Sequence, residues 1–414
     1  MGDVIVIGTI DTKEAEVCFV VDELEKVGAT WKVINIGVFE TESSAVPVSV
    51  GPSELAGLAG EDIHELRRGG EQGSARARAL DAMAKGLAIV LERLNHEGNI
   101  GAVLGFGGSS GSSVIGRAMQ VLPVGVPKVL VSTMASGDVT PYVGTRDISL
   151  MYSVTDIAGL NRISRRVLRN ASRAAAGMAE GYADDSSIEE SGQPLVAISM
   201  FGVTTPAVMA VQAGLESRGF ETTVFHATGA GGRAMEGLVS DNLVDAVIDL
   251  TTSELTDELV GGVLTAGPNR MEAAGLAGIP QVLVPGALEV INFGAEHTVP
   301  KEFQVPERRV HVHNSAVTIC RTNIDESTAL GKIFTQKANI ATGPTVVVIP
   351  LRGLSALGEE GQPYYDPIAD GALFDEIRAG LRDDIPIVEV DAPINSTTFT
   401  DAVLAEFTKL WEKK

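Results

Sequence analysis

The chain has 414 residues, with 54 Asp plus Glu against 32 Lys plus Arg for a formal net charge of −22, and 46 glycines. That length suits two α/β domains rather than one. An acidic, aromatic-poor surface excludes general binding to phosphate backbones or anionic lipid, though it does not exclude an anion in a single pocket.

The first apolar run, Val4-Ile5-Val6-Ile7, starts a strand at once. No basic leader or long apolar segment precedes it, so no secretory signal is expected, and no apolar run reaches membrane-spanning length. A soluble cytoplasmic protein is the expectation. Cys18 and Cys320 form no CxxC pair and are expected to be reduced core residues.

Short apolar runs ending in Gly, Ser or Thr recur, each followed by a segment of helical period, the pattern of βαβ units in a parallel sheet. In the first domain this predicts strands over 4–7, 33–38, 102–106 and 129–132. Helices are predicted over 12–27, 74–95 and 112–121, with a loop-rich insertion over 43–60. An amphipathic run over 156–181 closes the domain and carries Arg162, Arg165, Arg166, Arg169 and Arg173. These could clamp phosphates of a neighbouring subunit, but a solvated or salt-bridged helix face is the default.

A polar, acidic stretch over 183–194 reads as a linker between a first domain, 1–182, and a second, 195–414. The second series predicts strands over 195–200, 222–225, 246–250, 281–284, 310–312, 346–349 and 387–390, then a final amphipathic helix over 399–411. The two halves open alike, with Ile7-Gly8-Thr9 and Gly28 in one and Phe201-Gly202-Val203-Thr204 and Gly219 in the other. Duplication and the common grammar of such folds both explain this. The fold class expected is α/β, two Rossmann-like doubly wound domains with mainly parallel sheets.

Ligands of open α/β sheets collect at the carboxyl ends of strands. Three loops of the first domain stand out there. Gly8, Thr9, Asp11, Thr12 and Lys13 follow the first strand and offer close backbone approach, hydroxyls and a cation. Gly107, Gly108, Ser109, Gly111 and Ser112 could form an anion-binding nest at a helix N-terminus. Ser132, Thr133, Ser136 and Gly137 make a third small, hydroxyl-rich turn. None is a P-loop, and the dinucleotide fingerprint is incomplete. Together, this many donors suit an anion with several phosphates, and Asp11, Asp138 and Asp147 could hold Mg²⁺, though capping and turn roles are the simpler reading.

The second domain concentrates Arg, Glu, Asp and His after its strands, which suggests a separate polar cleft with Arg270, Glu272, Glu289 and His313 as acid, base or carboxylate clamp. His311 and His313 alternate on one strand face and, with His297 or Glu289, could bind a divalent metal. Hydrogen-bonded pocket histidines are the simpler reading.

Five ordered motifs carry a resemblance over nearly the whole chain: Gly8-Thr-x-Asp-Thr-Lys13, Phe106-Gly-Gly-Ser-Ser-Gly111, Ser132-Thr-x-Ala-Ser-Gly-Asp138, Gly267-Pro-Asn-Arg-x-Glu-Ala-Ala274 and Pro285-Gly286 with Asn292-Phe-Gly294. The chain resembles a family of functionally uncharacterised bacterial proteins homologous to the amino-terminal ATP-binding domain of the tomato mosaic virus resistance protein, an inhibitor of tobamovirus RNA replication. The resemblance implies a two-domain α/β protein, commonly oligomeric, with ATP on the three first-domain loops. His313-Asn-Ser stands where the family pattern has His-Asn-Pro.

The leading expectation is an ATP-binding protein that acts on or senses a small anionic metabolite in an interdomain or second-domain cleft, with homo-oligomer formation. The alternatives are a nucleotide-sensing scaffold without catalysis and a metal-dependent hydrolase or isomerase using the His311/His313 strand.

Overall fold

A computed structural model describes residues 2–39, 44–68, 73–184 and 192–412. The chain divides into two compact units, Met1–Glu189 and Glu190–Lys414. Most of the expected linker, 185–191, lies outside the described residues.

In the first unit β1 (Asp3–Gly8), β2 (Trp31–Asn35), β3 (Ile100–Gly107), β4 (Lys128–Ser132) and β5 (Ser149–Tyr152) form one parallel sheet in the order β2-β1-β3-β4-β5. β3 is buried along its whole length, as a strand covered on both faces must be. The period of two sorts the side chains between two cores. Ile5, Ile7 and Val103 pack on the helices Pro52–Leu58, Gly73–His96 and Ser109–Met119, while Val4, Val6 and Leu104 pack on Ile10–Glu25 and Arg162–Ala183. Helices therefore cover both sheet faces.

The differences from the sequence reading fall at element ends and in a few short elements that were not expected. The third helix begins at Ser109, three residues before the expected start, because extended Gly108 is its N-cap. β2 stops at Asn35, and 36–38 runs on as a loop. The insertion over 43–60 contains the helix Pro52–Leu58, a second short helix, Ile63–Arg68, follows it, and its expected start at 43 lies outside the described residues. β5 was not expected, since a short, partly exposed edge strand of sequence SLMY shows little β-branching.

The second unit opens with β6 (Leu195–Met200), β7 (Glu221–His226), β8 (Ala246–Asp249) and β9 (Gln281–Leu283). A small antiparallel sheet then intervenes, formed by β10 (Val290–Phe293), β11 (Val310–Val312) and β12 (Thr318–Arg321) in the order β10-β12-β11. β13 (Thr345–Pro350) and β14 (Ile387–Val390) complete a parallel sheet ordered β14-β13-β9-β8-β6-β7. The strand over 310–312 therefore belongs to the small sheet and not to the parallel series expected from sequence. The last helix, Thr397–Trp411, packs Phe399, Val403 and Phe407 on Val208 and Val211 of the second unit's own core.

Each parallel sheet places its first strand between its second and its third. This makes a two-domain α/β protein of Rossmann-like topology, with mostly parallel sheets. Among the described residues no helix is long and apolar enough to cross a membrane.

Candidate functional site

In the first unit the connections leaving β1 and β3 run to opposite faces of the sheet, so the strand ends splay and a crevice opens between them. A cavity of about 310 Å³ lies there. Its walls are Thr9, Asp11 and Thr12 after β1, Ile36 to Phe39 after β2, Ser110 and Gly111 after β3, and a helical wall with Leu66, Arg67, Arg76, Leu80 and Val114.

Asn35 shapes the β1 side. Its buried Oδ1 accepts from the Ile10 N–H at 3.0 Å and the Gly37 N–H at 2.8 Å, which ties the start of one helix to the loop after β2. Thr9 and Thr12 join through their hydroxyls at 2.8 Å. The Asp11 carboxylate accepts from the Phe39 N–H at 3.1 Å, and a Cβ on Gly37 would come within 2.4 Å of Asp11 Oδ1. Lys13 breaks the helical backbone at φ −138°, and its ammonium donates to the Ile157 carbonyl, so it does not line the crevice.

The β3 loop separates glycines of two kinds. A Cβ on Gly8 would meet Val17 at 3.0 Å, and one on Gly107 would meet Gly111 Cα at 3.1 Å, both tighter than ordinary contact, so close packing favours glycine at each. Gly108 and Gly111 border open space, where a side chain would extend toward the cavities. Ser112 and Ser132 are fully buried, share a hydrogen bond of 2.6 Å and tie the β3 loop to β4; Ser112 also donates to the Gly107 carbonyl at 3.1 Å. Their hydroxyls hold the scaffold.

Gly108, Ser109 and Thr133 line a second cavity of about 430 Å³ with Ser153, Thr155 and Asp156. Ser136 and Gly137 lie on an exposed turn and line neither cavity. The three predicted loops thus serve two cavities on either side of Gly108–Gly111 instead of one. Of the three aspartates, Asp138 caps the Thr140 N–H at 3.0 Å and Asp147 pairs with Lys128 at 2.8 Å, while Asp11 lines the crevice. The arginine-rich helix face is largely paired, with Arg169 and Arg173 on Glu23 and Arg165 over Phe19.

In the second unit the predicted quartet occupies four separate environments. Arg270 is buried, and all five of its N–H donors are engaged. Nη1 and Nη2 meet Asp249 at 2.5 and 2.7 Å, Nε meets Glu254 at 2.6 Å, Nη1 reaches Glu236 at 3.2 Å and Nη2 the Thr251 carbonyl at 3.3 Å. Glu254 and Glu236 in turn accept from the N–H groups of Gly229, Gly232, Met271 and Ala273. Burial pushes the Glu236 carboxyl above its ordinary range despite Arg270.

Glu272 pairs with Lys337 at 2.6 Å. Glu289 is buried and accepts from the Ser355 hydroxyl, its Oε2 has no partner among the described residues, and burial raises its pKa. His311 and His313 are exposed on and just beyond edge strand β11. Among the described residues no group of three His, Cys, Asp or Glu side chains is placed to hold a metal. Cys320 is buried and Cys18 half-buried, and both are free thiols.

Arg67 and Arg76 escaped the sequence reading because they sit in helices far from any motif. Only folding brings them to the glycine loops.

Comparison with known proteins adds kinship to this geometry. The N-terminal domain of the uncharacterised protein family UPF0261 matches residues 2–184, and its C-terminal domain matches 193–411. A UPF0261 protein of Clostridium tetani is 43% identical over 411 residues, covering 99% of each chain. The ToMV resistance protein Tm-1(GCR237) of Solanum lycopersicum is 37% identical over 428 residues, which is 98% of this chain but 55% of the tomato protein. Among solved structures, UDP-GlcNAc 2-epimerase of Methanocaldococcus jannaschii is 11% identical at a TM-score of 0.24, covering 68% of this chain and 83% of the other, a likeness too distant to inform function. With both halves matched and relatives this similar from end to end, the chain belongs to the UPF0261 family.

Proposed function

We propose that the first domain binds a nucleotide, ATP, in the crevice between β1 and β3. One observation carries the reading: arginines and a helix N-terminus share the crevice lining with apolar side chains. The lining includes Arg67, Arg76 and the first turn of the Ser109–Met119 helix, whose Ser110 and Gly111 N–H groups make no hydrogen bond among the described residues. Ile36, Val38, Leu66, Leu80 and Val114 share the lining with them.

A helix N-terminus favours phosphate through its partial positive charge and unpaired donors. Gly111 leaves the space a side chain would fill, so the residues present fit a phosphate chain. The apolar lining residues suit a base, and Asp11 is the lining carboxylate that would take a Mg²⁺ accompanying the phosphates. The family resemblance in the motifs supports the same ligand.

The protein's role is sensing rather than turnover in the reading we favour. Arg270, Glu272 and Glu289 each have partners inside the second unit, which leaves the expected catalytic quartet dispersed. Isothermal titration and thermal shift with Mg-ATP test the binding. A rise in Tm of the first domain with phosphate release at background supports a sensor. No shift at millimolar Mg-ATP removes the nucleotide reading, because a ligand held at about 100 Kd stabilises by roughly 2.7 kcal/mol.

A further inference from the structure

We infer that the second domain binds a small organic cation, an ammonium or guanidinium on an apolar stem, in a cavity formed by the carboxyl ends of β13 and β14 and the start of the Pro367–Gly380 helix. The inference is independent of the nucleotide reading, since it uses only residues of the second unit.

The cavity measures about 430 Å³, within the range of small-molecule sites. Leu351 follows β13, Pro393 follows β14, and Asp370, Gly371 and Phe374 come from the helix. Carboxyl ends of parallel strands are where α/β sheets take their ligands.

Asp370 is the buried charge of this lining. Its side chain is 10% exposed, and Arg321 holds it through Oδ1 alone, at 2.5 Å. The remaining Arg321 donors go to Tyr364, Thr322 and the Asp366 carbonyl. Oδ2 of Asp370 accepts from no described residue. Buried carboxylate oxygens are ordinarily satisfied, so this one calls for a donor from the cavity.

Gly371 gives a separate sign of a ligand. Inside a helix glycine is less favourable than alanine. Yet Gly371 has no positive φ, and a Cβ there would meet nothing within 4 Å. Neither a left-handed backbone nor a close neighbour explains it, and what its missing side chain leaves is room in the cavity.

The lining sets the sign of the ligand. Glu359 and Glu360 add two carboxylates to Asp370, while Arg352 is held by Asp391 through Nε and Nη2. Phe374 and Tyr365 bring aromatic rings, which attract organic cations, and the prolines and Leu351 suit a hydrocarbon stem. Among the described residues no three such side chains are placed to hold a metal ion.

The charged groups around Asp370 are Arg321 of β12, Glu289 just before β10 and Asp366 at the helix N-cap, with Glu359, Glu360 and Arg352 in the cavity. Burial, reinforced by Glu289 and Asp366, pushes the Asp370 carboxyl up to about 7 despite Arg321. A ligand cation would bind the ionised form and displace its proton.

The test is isothermal titration of wild type, Gly371→Leu and Asp370→Asn with cadaverine, spermidine and agmatine, and with Mg²⁺ and inorganic phosphate as rival chemistries, with thermal melting to verify folding. Wild type should bind at least one of the three organic cations at millimolar concentration, about tenfold tighter at pH 8 than at pH 6. Gly371→Leu fills the cavity and leaves every charge in place, so it should lose about tenfold or more. Asp370→Asn should lose about tenfold at pH 8 together with the pH dependence. If Asp370→Asn fails to fold, Gly371→Leu and the wild-type pH profile decide. The inference is overturned if wild type binds none of the three cations, if its affinity is flat with pH, or if either folded variant binds like wild type. Binding of phosphate or Mg²⁺ that Gly371→Leu abolishes, in place of the organic cations, overturns it as well.

Discussion

Replacing Arg270 by Met keeps the side-chain volume and deletes the one cation among Asp249, Glu254 and Glu236. The guanidinium makes contacts of 2.5, 2.7, 2.6 and 3.2 Å to these three carboxylates, with no exposed side-chain surface. Removing one partner of a buried ion pair costs about 3–5 kcal/mol, because the remaining charge stays buried without compensation. Here three carboxylates are left, so the upper end, about 5 kcal/mol, is the expectation. For a domain of this size each kcal/mol shifts Tm by about 2–4 °C, hence a fall of roughly 10–20 °C in the second-domain transition.

The pH dependence supplies the signature. Unpaired buried carboxylates have folded pKa values raised above their unfolded ones, so they favour folding at low pH and lose that contribution as pH rises through the folded pKa. The deficit of Arg270→Met should therefore be smaller at pH 5 than at pH 8 in calorimetry and urea titrations. A loss under about 1 kcal/mol, or one that is flat with pH, would refute the view of Arg270 as the electrostatic keystone of this domain.

Asp257 offers a second pH test. Burial pushes its carboxyl up to about 7, although the Asn292 and Leu264 N–H groups favour its ionised form. A raised folded pKa stabilises fully below the unfolded value near 4 and less as pH climbs through 7. The stability of wild type relative to Asp257→Asn should therefore drop by on the order of 2 kcal/mol between pH 5 and pH 8, and a constant difference would remove the assignment. For Gly37→Ala, the added Cβ would stand 2.4 Å from Asp11 Oδ1, forcing the carboxylate off the Phe39 N–H. We expect about 1–3 kcal/mol of first-domain destabilisation and weaker Mg-ATP binding, read by melting and titration; an unchanged variant would show that the loop gives way instead.

The parallel sheets and both unit cores were legible because buried strands such as β1, β3, β6 and β13 are unbroken apolar runs between glycines. The small antiparallel sheet was not. β10 lies directly after the Pro285-Gly286-Ala287-Leu288-Glu289 loop, and its pairing with β12 depends on a partner some thirty residues on, which no local period announces. The glycine loops marked the right sheet edge, yet the sequence could not say which hydroxyls face a cavity. Ser112 and Ser132 read like Ser109 and Thr133, but only tertiary contact turns the first pair inward against each other. Arg270 looked like a ligand clamp for a similar reason. A lone Arg in a Gly-Pro-Asn-Arg turn carries no sign that three carboxylates from distant segments will surround it.

The placement of β3 beside β1 also governs how the first domain assembles. β1 meets β2 at Val4 and Trp31 but meets β3 at Asp3 and Ile100, close to a hundred residues downstream. By loop-closure entropy the second pairing costs about 1 kcal/mol more than the first, before the helices folded in between repay it. The wall of the crevice carrying Arg67 and Arg76 comes from that intervening stretch, and the wall carrying Ser110 from the stretch just after it. A growing chain therefore acquires this crevice only once β3 has docked and the following helix has formed, so ligand capture reports a completed amino-terminal half rather than an early folding intermediate.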